Sequence, residues 1–159
     1  MIEINVKNKN VFLEMTNSVH GGQDWELGKC LWSPKRAKDG KDSWKTMLLP
    51  QIGDIVIHSV KTSKGHMFIA YSLVAEVCKE IKSEPPIPGR WAGYDVYYYV
   101  GLKDYKKLTI HKRMQKFLDT HKVFLGDYNK SFFTVDLKPA QKYLTLLEPI
   151  IADKLLKYL

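Results

Sequence analysis

The chain has 159 residues and a formal net charge of +8, from 25 Lys and Arg against 17 Asp and Glu, and 45% of its residues are hydrophobic. This length fits one domain that needs no disulfide or metal to hold it together, and the composition excludes a disordered chain. No apolar run is long enough to span a membrane, and the N-terminus lacks a signal-peptide pattern, so we expect a cytoplasmic protein with no membrane partner. The excess of cations favours a polyanion as partner, because each neutralised phosphate releases counterions.

The first elements are predicted to be two short strands and a short helix. Residues 11–16 and 28–32 are apolar segments that we expect to form the strands. A charged turn, residues 35–42, follows them. Residues 43–48 are then expected to form a short helix with Ser43 as its N-cap.

The strongest strand signals lie in the middle of the chain. Residues 55–60 are rich in β-branched side chains, and we expect them to pair as a hairpin with residues 67–77. Three prolines exclude regular structure over residues 83–89. Residues 94–102 are aromatic-rich and are expected to form a further strand.

Helical periodicity begins after these strands. One apolar helix face is predicted to comprise Ile110, Met114, Phe117, Leu118 and His121. Residues 122–130 are expected to be a loop, and residues 132–137 a short strand.

The C-terminus is predicted to be helical. Pro139 can begin a helix, so residues 140–147 and 149–159 are expected to form one or two terminal helices. Their apolar seam would comprise Leu144, Leu147, Ile151, Leu155 and Leu159. Because strands do not alternate with helices, the predicted fold class is α+β. We expect a single domain over residues 1–159, with a small curved sheet or barrel, flanking helices and a helical C-terminus.

The sequence contains no HExxH, GxSxG, P-loop or GxGxxG motif. Asp54 and Glu76 could contribute to a nuclease-type carboxylate cluster, but no lysine stands in register with them. Cys30 and Cys78 form no CxxC pair, which argues against zinc and favours two buried free thiols. We therefore expect that the domain alone is not an enzyme and uses neither a metal nor another cofactor.

The four tryptophans lie between residues 25 and 91, mostly at predicted element ends or in loops. An indole at such a position can stack on a nucleic-acid base, which is worth about 1–3 kcal/mol per base. Burial in the core is the alternative. The cations interleaved with the tryptophans could contact the nucleic-acid backbone: Lys35, Arg36, Lys38, Lys41, Lys45 and Arg90.

Polar side chains interrupt the two central apolar strands. His58 and Ser72 lie in the two arms of the predicted hairpin. Either they face a pocket and read a base edge, or they form a hydrogen-bonded pair in the core.

Several segments together resemble a known family. These are HGGQDWELGKCLWSP at residues 20–34, Trp44, IGDIVIHSV at residues 52–60 and FIAYSLVAEV at residues 68–77. They resemble the EVE-type PUA-like domains, above all the EVE-like specificity domains of modification-dependent restriction endonucleases. The segment YNKSFFTVDLKPAQKYLTLL at residues 128–147 is similar to the tail of such domains.

The resemblance implies a small β-barrel that accepts a flipped, modified DNA base in an aromatic pocket and targets a nuclease or GTPase in a restriction system of phage defence. By position, the pocket would include Trp32 and Ser33 of the WSP segment, Trp44, His58 and, less directly, Trp91. No HNH or GTPase motif is present, so cleavage would need another domain or subunit. A piece of a longer restriction protein is one possibility. The alternatives are an RNA-binding module of PUA or YTH character and a protein-interaction domain that uses the C-terminal helices.

Overall fold

A computed structural model describes residues 5–17, 25–128 and 143–159. The strands are β1 (Val11–Asn17), β2 (Cys30–Pro34), β3 (Ile55–Thr62), β4 (Gly65–Val74), β5 (Lys79–Ile81), β6 (Tyr97–Arg113) and β7 (Leu144–Leu146). The helices are α1 (Met114–Tyr128) and α2 (Pro149–Tyr158), with short 3-10 helices at Lys45–Leu48 and Gly89–Trp91. The predicted α+β class is confirmed, since the sheet curls into a half-barrel beside two helices. None of the helices in the described ranges has the length and apolar character needed to cross a bilayer.

The strands form one sheet in the order β2-β6-β4-β3-β1-β7, and β5 pairs with β6. β1 and β3 are parallel, and the other neighbours are antiparallel. β6 is the longest strand, with 17 residues. Its beginning, from Tyr97 to Gly101, pairs with β2, and from Leu102 onward it pairs with β4. β6 therefore links the two parts of the sheet.

Each face of the sheet carries its own core. Alternate residues of a strand point to opposite faces, so Leu13 and Ile57 enter one core while Phe12 and Val56 enter the other. The first, which we call the helix-side core, is covered by α1 and α2. The second, the aromatic core, contains Trp25, Trp32, Trp91, Tyr97, Tyr98 and Tyr143.

The predicted elements of the first half are largely present. The first strand and the central hairpin are confirmed, although the second arm of the hairpin ends at Val74. β2 lies two residues later than predicted and includes Ser33 and Pro34. Ser43 does not cap the short helix, because Trp44 occupies the N-cap position and no side chain bonds there.

The second half corrects several predictions. β6 continues to Arg113, so Ile110 belongs to a strand and is 68% exposed rather than part of an apolar helix face. Pairing with β4 explains the difference, because a long partner strand overrides a local helical period. α1 extends to Tyr128, so residues 122–128 are helical and not a loop.

The C-terminal helix is shorter than predicted. Leu144–Leu146 forms β7 and pairs with β1, so the helix predicted over residues 140–147 is wrong where that segment is described. α2 begins at Pro149 and buries Ile151 and Leu155 in the helix-side core. This seam is therefore covered within the chain, which removes the basis of the predicted interaction helices. The strand predicted at residues 132–137 and the helix start at position 139 lie outside the described residues.

Candidate nucleic-acid interface

The four tryptophans meet at one place, which we call the tryptophan cluster: Trp25, Trp32, Trp44 and Trp91. The ring of Trp91 lies 5.8 Å from that of Trp25 and 5.9 Å from that of Trp44, and Trp32 lies 6.3 Å from Trp25 between ring centroids. β2 positions Trp32, while Trp44 and Trp91 stand at the ends of the two 3-10 helices. Elements far apart in sequence thus bring together three of the predicted pocket residues.

The cluster is mostly buried, but two of its polar atoms have no hydrogen-bond partner in the part of the chain that the structure describes. Trp25, Trp32 and Trp91 are 6–8% exposed, and Trp44 is partly buried at the margin of the aromatic core. The indole N–H groups of Trp32 and Trp44 are buried with no acceptor among the described residues. Because a buried donor without an acceptor costs about 1–3 kcal/mol, both N–H groups are suited to an acceptor on a ligand.

Two tyrosines that the sequence analysis did not select hold the cluster in place. Tyr143 packs edge-on against Trp91, with 4.8 Å between ring centroids, and its hydroxyl accepts the backbone N–H of Trp32 at 3.3 Å. Burial raises the pKa of Tyr143 well above its usual value. The hydroxyl of Tyr97 donates to the carbonyl oxygen of Trp91 at 2.6 Å. The cluster is thereby fixed to β6 and to the residue preceding β7.

An open cleft of about 530 Å³ adjoins the cluster. It lies between the charged turn and the loop before β6, and Tyr94 lines its wall. The Nζ atom of Lys38 stands 6.0 Å from the centre of the Tyr94 ring, and Trp44 meets the same ring edge-on at 6.2 Å. Tyr94 therefore connects the basic cleft to the tryptophan cluster, a role that the sequence did not suggest.

The predicted backbone-contacting cations are less free than their sequence suggests. Ion pairs join Lys35 to Glu80 at 2.5 Å, Arg36 to Asp42 at 3.1 Å and Lys41 to Asp39 at 3.4 Å. These pairs are largely exposed, so they add little to stability and can exchange for phosphates. Three predicted cations remain. Lys38 stands over the Tyr94 ring, and Lys45 and Arg90 are exposed and adjoin cluster tryptophans in sequence.

His58 and Ser72 lie inside the sheet as a hydrogen-bonded pair. The Nε2 atom of His58 is 2.6 Å from the hydroxyl of Ser72, and its Nδ1 atom is 3.3 Å from the Glu14 carboxylate, without hydrogen-bond alignment. All three residues are buried, as is Ser33, whose hydroxyl donates to the Pro34 carbonyl oxygen at 3.2 Å. Of the two alternatives that the sequence allowed for His58 and Ser72, the structure has the hydrogen-bonded pair in the core. Contact of Ser33, His58 and Ser72 with a base stays a prediction. Glu14 was not foreseen.

No group of three or more metal-ligating side chains occurs in the part of the chain that the structure describes. The carboxylate of Asp54 accepts the backbone N–H groups of Asn10 at 3.0 Å and Gln51 at 2.8 Å, so it organises the turn before β3. The prediction of free thiols is confirmed, with Cys30 buried and Cys78 half-buried. Burial raises the pKa of Cys30 to about 12.

Solved structures share this architecture. The N-terminal domain of Staphylothermus marinus McrB aligns with a TM-score of 0.54 at 14% identity, covering 91% of each chain. Human THYN1 in complex with 5-methylcytosine-containing DNA aligns with a TM-score of 0.57 at 7% identity, covering 94% of this chain and 97% of that one. Protein Atu2648 from Agrobacterium tumefaciens gives 0.56 at 9% identity, covering 94% and 92%.

The chain has an EVE/PUA-like fold. This confirms the fold that the sequence resemblance implied. No protein-family model matches the sequence, and no curated protein matches it either. At these sequence identities, the similarity to the solved structures is a similarity of fold.

Proposed function

We propose that this chain is a DNA-binding domain that reads a modified base flipped out of the duplex. The observation that carries the proposal is a pair of buried indole N–H groups, on Trp32 and Trp44, that have no acceptor among the described residues, beside a basic cleft. The fold supports it, because THYN1, a protein of this fold, has been solved with 5-methylcytosine-containing DNA, and an McrB N-terminal domain shares the fold.

The base would enter beside Trp44. This ring is the least buried of the tryptophan cluster, and it borders Tyr94 at the cleft. Flipping costs a few kcal/mol, and stacking on an indole returns about 1–3 kcal/mol. Trp32 and Trp91 would form the rest of the pocket. Ser33, His58 and Ser72 would support it from behind, because each is fully buried or nearly so.

The phosphates would lie on the rim of the cleft. In our proposal Lys35, Arg36, Lys38 and Lys41 contact the backbone from the charged turn, and Lys45 and Arg90 contact it from beside the cluster. The acids that now pair with three of these cations would exchange for phosphates. The domain would act without catalysis of its own and would direct a separate nuclease or GTPase module to the modified site.

Binding to matched duplexes tests this proposal. Fluorescence anisotropy would compare duplexes that differ only in one plain, methylated or hydroxymethylated base. We expect the wild-type chain to prefer one modified base. Trp32→Phe and Trp44→Phe keep an aromatic ring and remove the indole N–H, so each should reduce that preference by about fivefold to tenfold, the value of one hydrogen bond.

Trp25→Phe is the matched control. It alters a ring of the same cluster, but the Trp25 side chain is already hydrogen-bonded to Tyr143 and so offers no donor to a base. It should leave the base preference intact, with folding of every variant checked by circular dichroism. Equal affinity of the wild-type chain for all duplexes would contradict the proposal, as would a preference that survives both Trp32→Phe and Trp44→Phe. Stronger competition by the matched RNA would instead identify an RNA-binding module.

A further inference from the structure

A large apolar side chain is exposed in the segment that leads into β6. Residues 84–93, which we call the proline loop, contain Pro85, Pro86 and Pro88, and Ile87 lies between the last two. Ile87 is 51% exposed, although Pro85 near it is buried. A single exposed apolar residue is ordinary by itself. Its meaning therefore depends on how the loop holds it and on what lies nearby.

The backbone around Ile87 is restricted by its neighbours. The rings of Pro86 and Pro88 fix their own φ angles, and Pro88 also confines the residue before it to extended backbone. The two ends of the loop are joined, because the carboxylate of Glu84 accepts the backbone N–H of Gly93 at 3.0 Å. Little conformational entropy would therefore be lost when Ile87 contacts a ligand.

The proline loop belongs to both parts of the candidate interface. Its 3-10 helix, Gly89–Trp91, ends at a ring of the tryptophan cluster, and the carbonyl oxygen of Pro88 accepts the backbone N–H of Trp91 at 2.9 Å. Gly93, at the end of the loop, lines the basic cleft. Four extended residues span at most roughly 14 Å. The Cα atom of Ile87 thus lies within that distance of the Cα atom of Trp91.

A rigid apolar side chain at this place has a use when a base leaves the duplex. The base that moves out opens a gap in the stack, and its former neighbours lose their contacts there. Proteins that deform DNA insert apolar wedges between base steps, and Ile is one of the side chains that they use. The exposed Arg90 follows Ile87 by three residues, where a phosphate contact would hold the loop on the DNA backbone.

We propose that Ile87 inserts into the base stack and fills the gap left by the base that is held at the tryptophan cluster. The inference rests on the proposed function, which supplies the flipped base. It goes beyond that function because it assigns the opening of the duplex to a residue outside the base pocket. The competing explanation is that Ile87 is only an exposed residue of a surface loop, and its truncation would then leave DNA affinity unchanged.

The test compares the affinity for a duplex with the affinity for a single strand that carries the same base, both measured by fluorescence anisotropy. Only the duplex has a paired stack with a gap to fill. Ile87→Ala should weaken duplex binding about tenfold, because the apolar contact with the neighbouring bases is lost. It should leave single-strand binding unchanged. Ile87→Leu keeps a wedge of the same volume and should retain most of the duplex affinity.

Ile150→Ala is the matched control. Ile150 is 57% exposed on α2, beside the helix-side core, so the control removes the same side chain from the other face of the sheet. It should change neither affinity, with folding of every variant checked by circular dichroism. Leu48 offers a second comparison, because it is 52% exposed in the 3-10 helix that follows Trp44. A duplex-specific loss in Leu48→Ala, with none in Ile87→Ala, would place the wedge there and overturn our assignment.

The outcomes separate this inference from the proposed function. A loss in Ile87→Ala that is confined to the duplex, with no base preference in the wild-type chain, supports the wedge and contradicts base reading. A base preference with equal duplex affinities of Ile87→Ala and Ile150→Ala overturns the wedge alone. A loss in Ile87→Ala of equal size on duplex and single strand also overturns the wedge. No binding of either substrate by the wild-type chain at low salt overturns both proposals.

Discussion

The polar chain of Glu14, His58 and Ser72 shows how single residues constrain this sheet. The Nε2 atom of His58 and the Ser72 hydroxyl share a hydrogen bond at 2.6 Å, and the Glu14 carboxylate stands 3.3 Å from Nδ1 of the same ring. The order acid, histidine, serine is that of a hydrolase triad. Here, however, the serine side chain is fully buried and reaches no solvent in this structure. We therefore assign a structural role to Glu14, His58 and Ser72, in which the burial of each polar group depends on its neighbour.

Replacing Ser72 by Ala should lower the free energy of unfolding by about 1–3 kcal/mol, because it leaves the buried Nε2 of His58 without a partner. Urea denaturation would measure this. Ser43→Ala is the matched control, since Ser43 is exposed and makes no cap bond, and it should change the value by no more than about 0.5 kcal/mol. Equal unfolding midpoints for the two variants would contradict the structural role.

At the scale of elements, β6 is shaped by irregular pairing with β4. Between Leu73 and Tyr71 the register shifts, and Asp104 adopts a positive φ of 54°. Such bulges redirect side chains. The redirected ring of Tyr105 lies against Gly28, where an added Cβ would come within 2.1 Å of it. The turn before β2 is thus fitted to β6 by a contact that only glycine permits.

Gly28→Ala and Gly40→Ala separate this contact from backbone strain. Both glycines have a φ of 83°, but a Cβ at Gly40 meets nothing within 4 Å. Gly40→Ala should therefore lower the free energy of unfolding only by the strain of a left-handed backbone, about 1–2 kcal/mol. Gly28→Ala should cost a further 1–3 kcal/mol or so from overpacking against Tyr105. Chemical denaturation compares them, and equal losses would show that Tyr105 moves aside freely.

The elements that could be predicted from sequence are those with a local cause. The central hairpin follows from β-branched runs around a turn, and the start of α2 follows from Pro149. The strand at Ile110 could not be predicted, because its spacing to Met114 and Phe117 also satisfies a helix and pairing with β4 decides. The site divides in the same way. Tryptophans near element ends were visible, but Tyr143 contacts Trp32 across 111 positions of sequence.

At the scale of the whole molecule, two cores share one sheet. All four tryptophans belong to the aromatic core or pack against it, and the helix-side core contains none. Tryptophan fluorescence therefore reports unfolding on one face, while far-UV circular dichroism reports the whole sheet. The same strands, β1, β3 and β4, supply side chains to both cores. We expect the two faces to unfold as one cooperative unit.

Ile151→Ala tests this coupling from the face without tryptophan. Ile151 is 1% exposed in the helix-side core, so the variant should lose about 2–5 kcal/mol. Its neighbour Ile150 is 57% exposed, and Ile150→Ala should change stability by no more than about 0.5 kcal/mol. The loss from Ile151→Ala should shift the fluorescence and circular dichroism transitions together. If the circular dichroism midpoint fell while the fluorescence midpoint stayed unchanged, the aromatic core alone would stabilise the tryptophan cluster.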